Sequence, residues 1–404
     1  MIEIEFSYIY DVTGDERIWA LLMEEFGDQE GVKVKLRRMN WDNAWAQLFS
    51  FTSATNSPHV SHIGNSWVSS LARMNTLRAF KPSEIVEIGA AEDFVTPNWQ
   101  TGKLPGDDRI WAIPWTAWIY VIAYRKDLLQ QAGIESNAAF GTIHAAANTV
   151  KRLTASNLEM PWLNAKLPNS TRDLLHIASS WIWASGGDFM DPEASRALFT
   201  SPEAIAGLKE WLGLYRAVPA AQKRLSQLET FDLFGEGHAA ALLCNIRGAN
   251  TFINSAKYPQ VHDNLGVAST TDTPWTGGGS FVIWDNLHGY PEQERAAINL
   301  VKFLSSKAVQ VRYSRETNNL PSRVDALYEL YPYGNPAHDA VMLAAAKGRS
   351  YYNMPIWRRV EVQLAEELGQ AVTDANSDPN TDLEEILHVR LDTLAARLNL
   401  TLEG

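Results

Sequence analysis

The chain has 15 tryptophans against 14 phenylalanines and 13 tyrosines, and these indoles are the side chains with most to offer a ligand. An indole stacks on the apolar C–H face of a sugar ring, while Asp, Asn and Arg pair with its hydroxyls. Trp111, Trp115 and Trp118 fall within eight residues, beside Pro114, whose ring stiffens the backbone. Trp41, Trp67, Trp115, Trp118, Tyr120, Trp275 and Trp357 fall at expected loop or strand-end positions, where a side chain can meet a ligand. Trp19, Trp181 and Trp211 fall on expected helices and read as core, and Trp183 and Trp284 fit either place. Tryptophan mostly buries itself for packing, so any one of these serves equally as core and the cluster carries the argument.

Catalytic apparatus is not recognisable. There is no GxSxG elbow, no HExxH, no Walker loop and no GxGxxG after a strand. GGGS at 277–280 precedes a strand instead of opening a helix, which removes the context of a phosphate cradle. His59 and His62 are the only close histidine pair, and on a strand that spacing puts them on opposite sides, against metal binding. The single cysteine, Cys244, sits in an apolar run, which excludes an intramolecular disulfide and a thiolate zinc site. No catalytic residue, metal site or cofactor is assigned. Two carboxylates facing each other across a sugar would hydrolyse a glycoside; among 47 acidic residues no such pair stands out near the aromatic stretches.

A net charge of −12 argues against nucleic acid, which needs clustered Lys and Arg, and against an anionic membrane surface. A neutral ligand fits this balance. With 46% hydrophobic and 20% charged residues over 404 positions, the chain suits two domains, or two lobes of one binding unit. The opening MIEIEFSYIY alternates like a strand and lacks the charged start and apolar stretch of a signal peptide. No run approaches the roughly 20 apolar residues of a membrane span.

The elements that must position these side chains follow from periodicity. Ile2, Ile4, Phe6, Tyr8 and Tyr10 mark a strand, and Thr13 and Asp15 cap a helix with Ile18, Leu21, Leu22 and Phe26 on its apolar face. Val32, Val34 and Leu36 form a second strand, so strand, helix and strand imply parallel pairing. His59 to Ile63 reads as a third strand. Asp11, Asn40, Trp41, Asn65 and Trp67 fall beyond the carboxyl ends of these strands, where open α/β sheets bind ligands. Leu71, Met74, Leu77 and Phe80 read as a helix face, and 81–109 as loops with short helices.

The stretch WAIPWTAWIYVIAYRKDLLQQAGI at 111–134 reads as strand into helix, ending at Gly133. Further on, Ser201 and Pro202 open a helix buried through Ile205, Leu208, Trp211, Leu212 and Tyr215. Short strands are expected at 239–245, 265–268 and 280–284, a helix after Pro291, and a capping box at Thr381 and Glu384 before a leucine-rich helix.

The 111–134 stretch resembles a segment of the large carbohydrate-binding family of extracytoplasmic solute-binding proteins of ABC importers. SWIWASGGDFMDPE (180–193), LFTSPEAIAGLKEWLGLY (198–215), FGEGHAAALLCNIRG (234–248), TGGGSFVIW (276–284) and NNLPSR (318–323) agree in order and spacing, so the resemblance covers nearly the whole chain. It implies a two-lobed α/β periplasmic-binding-protein-like fold, each lobe a mixed sheet flanked by helices, with the ligand cleft between them. The implied boundaries are 1–117 and 279–323 for the N-terminal lobe and 118–278 and 324–404 for the C-terminal lobe, with crossings near 115–120, 277–282 and 321–327. The resemblance further implies a monomer outside the cytoplasm that closes on a neutral carbohydrate and hands it to a membrane permease, from a mature chain with its export signal removed. Asp11, Asn65, Ser66, Trp118, Tyr120, Arg247, Trp275, Gly277 and Gly278 resemble the family's sugar contacts. Asn65 departs from the pattern, since many relatives carry aspartate there. With Asn40, Trp41, Trp67, Trp115 and Trp357 from the aromatic reading, these are the candidate ligand-binding residues. The alternatives are a glycoside-processing enzyme, or a binder of a charged ligand such as a glycerol phosphate or a polyamine.

Overall fold

The computed structural model describes residues 2–10, 15–53, 57–164, 171–219, 222–254, 257–351, 353–354 and 356–402. The chain forms two compact units, each built from three stretches. Unit 1 is Met1–Trp118, Thr276–Pro332 and Ser350–Arg358; unit 2 is Ile119–Trp275, Tyr333–Arg349 and Arg359–Gly404. Residues 324–332 and 350–358 thus pack with unit 1, where the sequence reading puts them with the rest of 324–404.

Ten strands are described: β1 (Ile2–Tyr10), β2 (Val32–Asn40), β3 (Val60–Gly64), β4 (Leu77–Arg78), β5 (Ile113–Arg125), β6 (Leu163–Asn164), β7 (Ala241–Asn245), β8 (Leu265–Ser269), β9 (Thr276–Trp284) and β10 (Leu320–Pro321). In unit 1, β1 is parallel to both β2 and β3, as the helix Asp15–Glu30 between β1 and β2 requires. β9 runs antiparallel to β3, with Gly64 opposite Gly279, and β4 pairs with the far end of β9. β10 pairs with the first half of β5.

Strand alternation divides the apolar side chains of unit 1 into two cores. Phe281 and Ile283 of β9 join Phe6, Trp19, Trp115 and Tyr313, whereas Val282 and Trp284 join Ile63, Trp67 and Leu71. A sheet with apolar residues on both faces buries both.

Three local expectations change. On the first helix Ile18, Leu22 and Phe26 are buried, but Leu21 is exposed and Trp19 and Met23 complete the stripe, because the larger indole reaches the sheet. Thr13 lies outside the described residues. The helix containing Leu71 ends at Arg73; Asn75 takes a left-handed φ of 55°, and Leu77 becomes part of β4 with Met74 exposed. At the last helix, Leu383–Leu402, it is the Asp382 carboxylate that accepts the Glu384 N–H, while Thr381 bonds Asp378.

In unit 2, the second half of β5 lies between β7 and β8, antiparallel to both, and β6 is parallel to β7. Arg125 and Asp127 form an ion pair where β5 turns into the helix Lys126–Gln131. Ser201 Oγ accepts the Ala204 N–H at 3.3 Å and starts the helix Pro202–Arg216, whose Ile205, Leu208, Trp211, Leu212 and Tyr215 are buried as the spacing predicts. Gly207 lets this helix press on Thr171–Ala184: a Cβ there would meet Trp181 O at 2.3 Å. Among the described residues no helix is long and apolar enough to cross a membrane.

Candidate functional site

The unit 1 candidates gather where β2 and β3 end. Asn40 closes β2, and its N–H donates to Asn43 Oδ1 at 3.3 Å as the helix Trp41–Phe51 begins. Trp41 and Trp45, one helical turn apart, are both half-buried. Each meets Trp67 edge-on at 63°, with ring centroids 5.5 and 5.8 Å away. The Arg358 guanidinium lies 5.7 Å from the Trp45 centroid. Past the end of β3, Asn65 Oδ1 accepts a hydrogen bond from Ser280 Oγ at 3.0 Å, and its Nδ2 is buried with no partner among the described residues. Ser66 and Trp118 are half-buried.

Four tryptophans expected at ligand-accessible places are buried instead, Trp275 (5% exposed) among them, and so is Tyr120. Trp115, 1% exposed, points with Ile113 into the core and packs on Trp19, Phe281 and Tyr313 with centroids 5.5, 5.0 and 4.7 Å away. Trp67, also 1% exposed, belongs to the core of Ile63, Val68 and Leu71 and props the Trp41 and Trp45 rings from behind. Trp357 is equally buried, 4.4 Å from the Tyr351 ring. Strand register and helix packing decided these cases.

The expected glycine turn is instead the start of β9, and its glycines serve backbone packing. Gly277 O accepts from Asn98 Nδ2 at 2.8 Å. Gly278 has φ +146°, and a Cβ there would lie 1.9 Å from Thr116 O, so no other residue fits without moving β5 or β9.

In unit 2, Tyr120 on β5, Arg247 after β7 and Trp275 after β8 meet the start of the helix Thr171–Ala184. The Tyr120 hydroxyl bonds the Asp173 carboxyl, with the charges of Arg172 and Arg247 nearby. Burial pushes that carboxyl above its ordinary range, against the downward pull of these three neighbours. His176 lies flat on Trp275, centroids 4.1 Å apart at 11°, and Tyr120 flanks the same indole at 5.9 Å. Burial, aided by the Arg172 charge, holds the His176 imidazole well below its usual range, so it is neutral at pH 7. The Trp275 N–H of the backbone donates to Ser180 Oγ at 2.8 Å, which fixes the ring's position.

Asp11 lies outside the described residues. The sequence reading missed Trp45, Asp173 and His176. WDNAW carried the first signal, because Trp41 and Trp45 are four apart on a helix opening; RDLLHI places Asp173 and His176 on adjacent turns. Within each unit these groups provide indole surfaces and hydrogen-bonding groups, chemistry suited to a polyhydroxylated ligand.

The chain belongs to the family described as bacterial extracellular solute-binding proteins, whose model matches residues 22–329. Membership of that family implies an extracytoplasmic location and a permease partner. Similar folds include the sugar-binding protein MalE of Xanthomonas citri, at 18% identity and TM-score 0.79 over 99% of this chain and 97% of that one. Maltose-bound MalE3 of T. maritima matches at 19% identity and TM-score 0.76, over 99% and 100%. An ABC transporter solute-binding protein of Thermotoga lettingae, bound with α-D-tagatose, matches at 15% identity and TM-score 0.75, over the whole of both chains. At such identities the likeness establishes a shared fold. No curated protein matches the chain.

Proposed function

We propose that this protein captures a neutral carbohydrate, an oligosaccharide or glycoside, and delivers it unchanged to an ABC permease, acting as a monomer. The observation that carries the reading is the pair of half-buried indoles Trp41 and Trp45, braced edge-on by Trp67 beside Asn40 and Ser66. Such a pair is suited to a ring's apolar face, and the amides and hydroxyls beside it to the ring's edge. Unit 2 contributes Tyr120, Arg247 and Trp275, with the Asp173 carboxyl bonded to the Tyr120 hydroxyl. Relatives of the same fold that hold maltose and tagatose support the ligand class. Capture works by differential affinity: the ligand favours whichever conformation gives it more contacts, and the permease reads that conformation.

The test is a thermal-shift screen against neutral mono-, di- and oligosaccharides, with glycerol phosphate and polyamines as charged controls and each sugar assayed for turnover. A ligand at a hundred times its dissociation constant adds about 2.7 kcal/mol of stability, which raises the midpoint by several degrees. A shift with one sugar class and no product is expected. A shift only with a charged ligand, or consumption of the sugar, overturns the reading.

A further inference from the structure

Asn319 is 1% exposed, and among the described residues neither its Oδ1 nor its Nδ2 has a hydrogen-bonding partner. Buried amides in folded proteins are almost always paired, so one left wholly unpaired calls for a reason. Its surroundings are rigid. Asn318 takes a left-handed turn at φ 58° after the helix Lys307–Thr317, and the Asn319 N–H donates to Thr317 Oγ1 at 3.4 Å. Just beyond, Leu320 and Pro321 pair with Ala117 and Thr116 of β5. Ser322 Oγ donates to Pro114 O at 2.8 Å, and the Gln310 amide bonds both Ser322 and Arg323. The backbone that carries the amide is therefore held on both sides, and the next residue along β5 past Ala117 is Trp118, which is half-buried.

Two more buried asparagines, Asn98 on the short helix Thr96–Gln100 and Asn65 just past β3, each have one atom unpaired among the described residues. Asn98 donates to Gly277 O and Thr116 O, at 2.8 and 3.4 Å, and its Oδ1 is unpaired. Asn65 accepts from Ser280, and its Nδ2 is unpaired. Gly279 donates to Thr116 Oγ1 at 3.2 Å and lies opposite Gly64, while Asn98 bonds Thr116 O and Pro321 pairs with Thr116, so the three amides fall along one row beside Gly279 and Thr116.

We propose that Asn319 is a specificity-determining contact for the carbohydrate, its amide donating to and accepting from one ligand hydroxyl at this row. The inference rests on the carbohydrate reading above and adds to it a residue and a role. An amide set aside for a hydroxyl accepts the sugar that carries it and discriminates against the analogue that lacks it. A purely structural amide would do neither.

The test compares wild type with Asn319→Leu, which keeps the volume, and Asn319→Ala. Affinities for maltose, trehalose, maltotriose, tagatose and ribitol are measured by calorimetry well below each midpoint, and the sugar that binds is then compared with its singly deoxygenated analogues. Both variants should bind that sugar about tenfold more weakly, the worth of one good neutral hydrogen bond. For one deoxy analogue, wild type and variants should bind alike. Equal affinity for the parent sugar, a uniform loss across all analogues, or failure of both variants to fold makes the amide structural and overturns the proposal alone. A wild-type protein that binds none of the five sugars overturns the carbohydrate reading and this inference with it.

Discussion

His176 and Trp275 are stacked face to face, their centroids 4.1 Å apart and their planes 11° from parallel. The stacked imidazole is neutral because burial, which penalises its charged form, holds the His176 pKa well below 6.5. Between that depressed value and 6.5 the unfolded chain takes up the proton first. Stability from this group is therefore complete above pH 6.5 and is lost as the pH falls below it. The difference in thermal midpoint between wild type and His176→Phe should shift in favour of the variant on acidification from pH 7. Parallel midpoints across that range would disprove the linkage.

Gly278→Ala should cost about 3 kcal/mol or more, since the added Cβ meets the Thr116 carbonyl and the backbone must leave a region that suits glycine. Urea unfolding measures it. A loss no greater than that of a surface substitution would mean that β5 and β9 can move apart freely.

Trp115 and Trp41 should separate stability from binding. Trp115→Ala empties a packed core and should cost about 3–5 kcal/mol. Trp41→Ala, at a half-buried ring, should cost far less stability but weaken carbohydrate affinity by about tenfold. Unfolding curves and calorimetry on the same two variants decide the matter, and an unchanged affinity for Trp41→Ala would remove that indole from the site.

Cys244 should resist thiol reagents in the native state. It is buried on β7, and burial pushes its thiol up to about 12, so hardly any thiolate is present at pH 8. Ellman's reagent should report no thiol until denaturant is added. Prompt labelling of the native protein would mean that β7 opens readily.

The alternation of the opening residues, the run from Tyr120 to Tyr124 and the Ser201–Pro202 helix start were all legible in the sequence, because each depends on neighbours within one or two turns. Ordered motifs spread over the whole chain carried the family. The failures have a common cause. Leu77 reads as helix by spacing and becomes strand because β9 offers it a partner more than 200 residues away.

The fate of the tryptophans shows the same division. Sequence by itself determined that this chain is rich in indoles near strand ends, since residue type and spacing are local properties. Only tertiary structure decided that Trp115 and Trp67 are covered while Trp41 and Trp45 stay half-exposed. Strand alternation assigns Trp115 to a face but not to what packs on that face; here Trp19, Tyr313 and Phe281, from distant parts of the chain, close over it. The unpaired amide of Asn319 is likewise a property of everything around it, because a hydrogen bond left unmade depends on where every other donor and acceptor has gone.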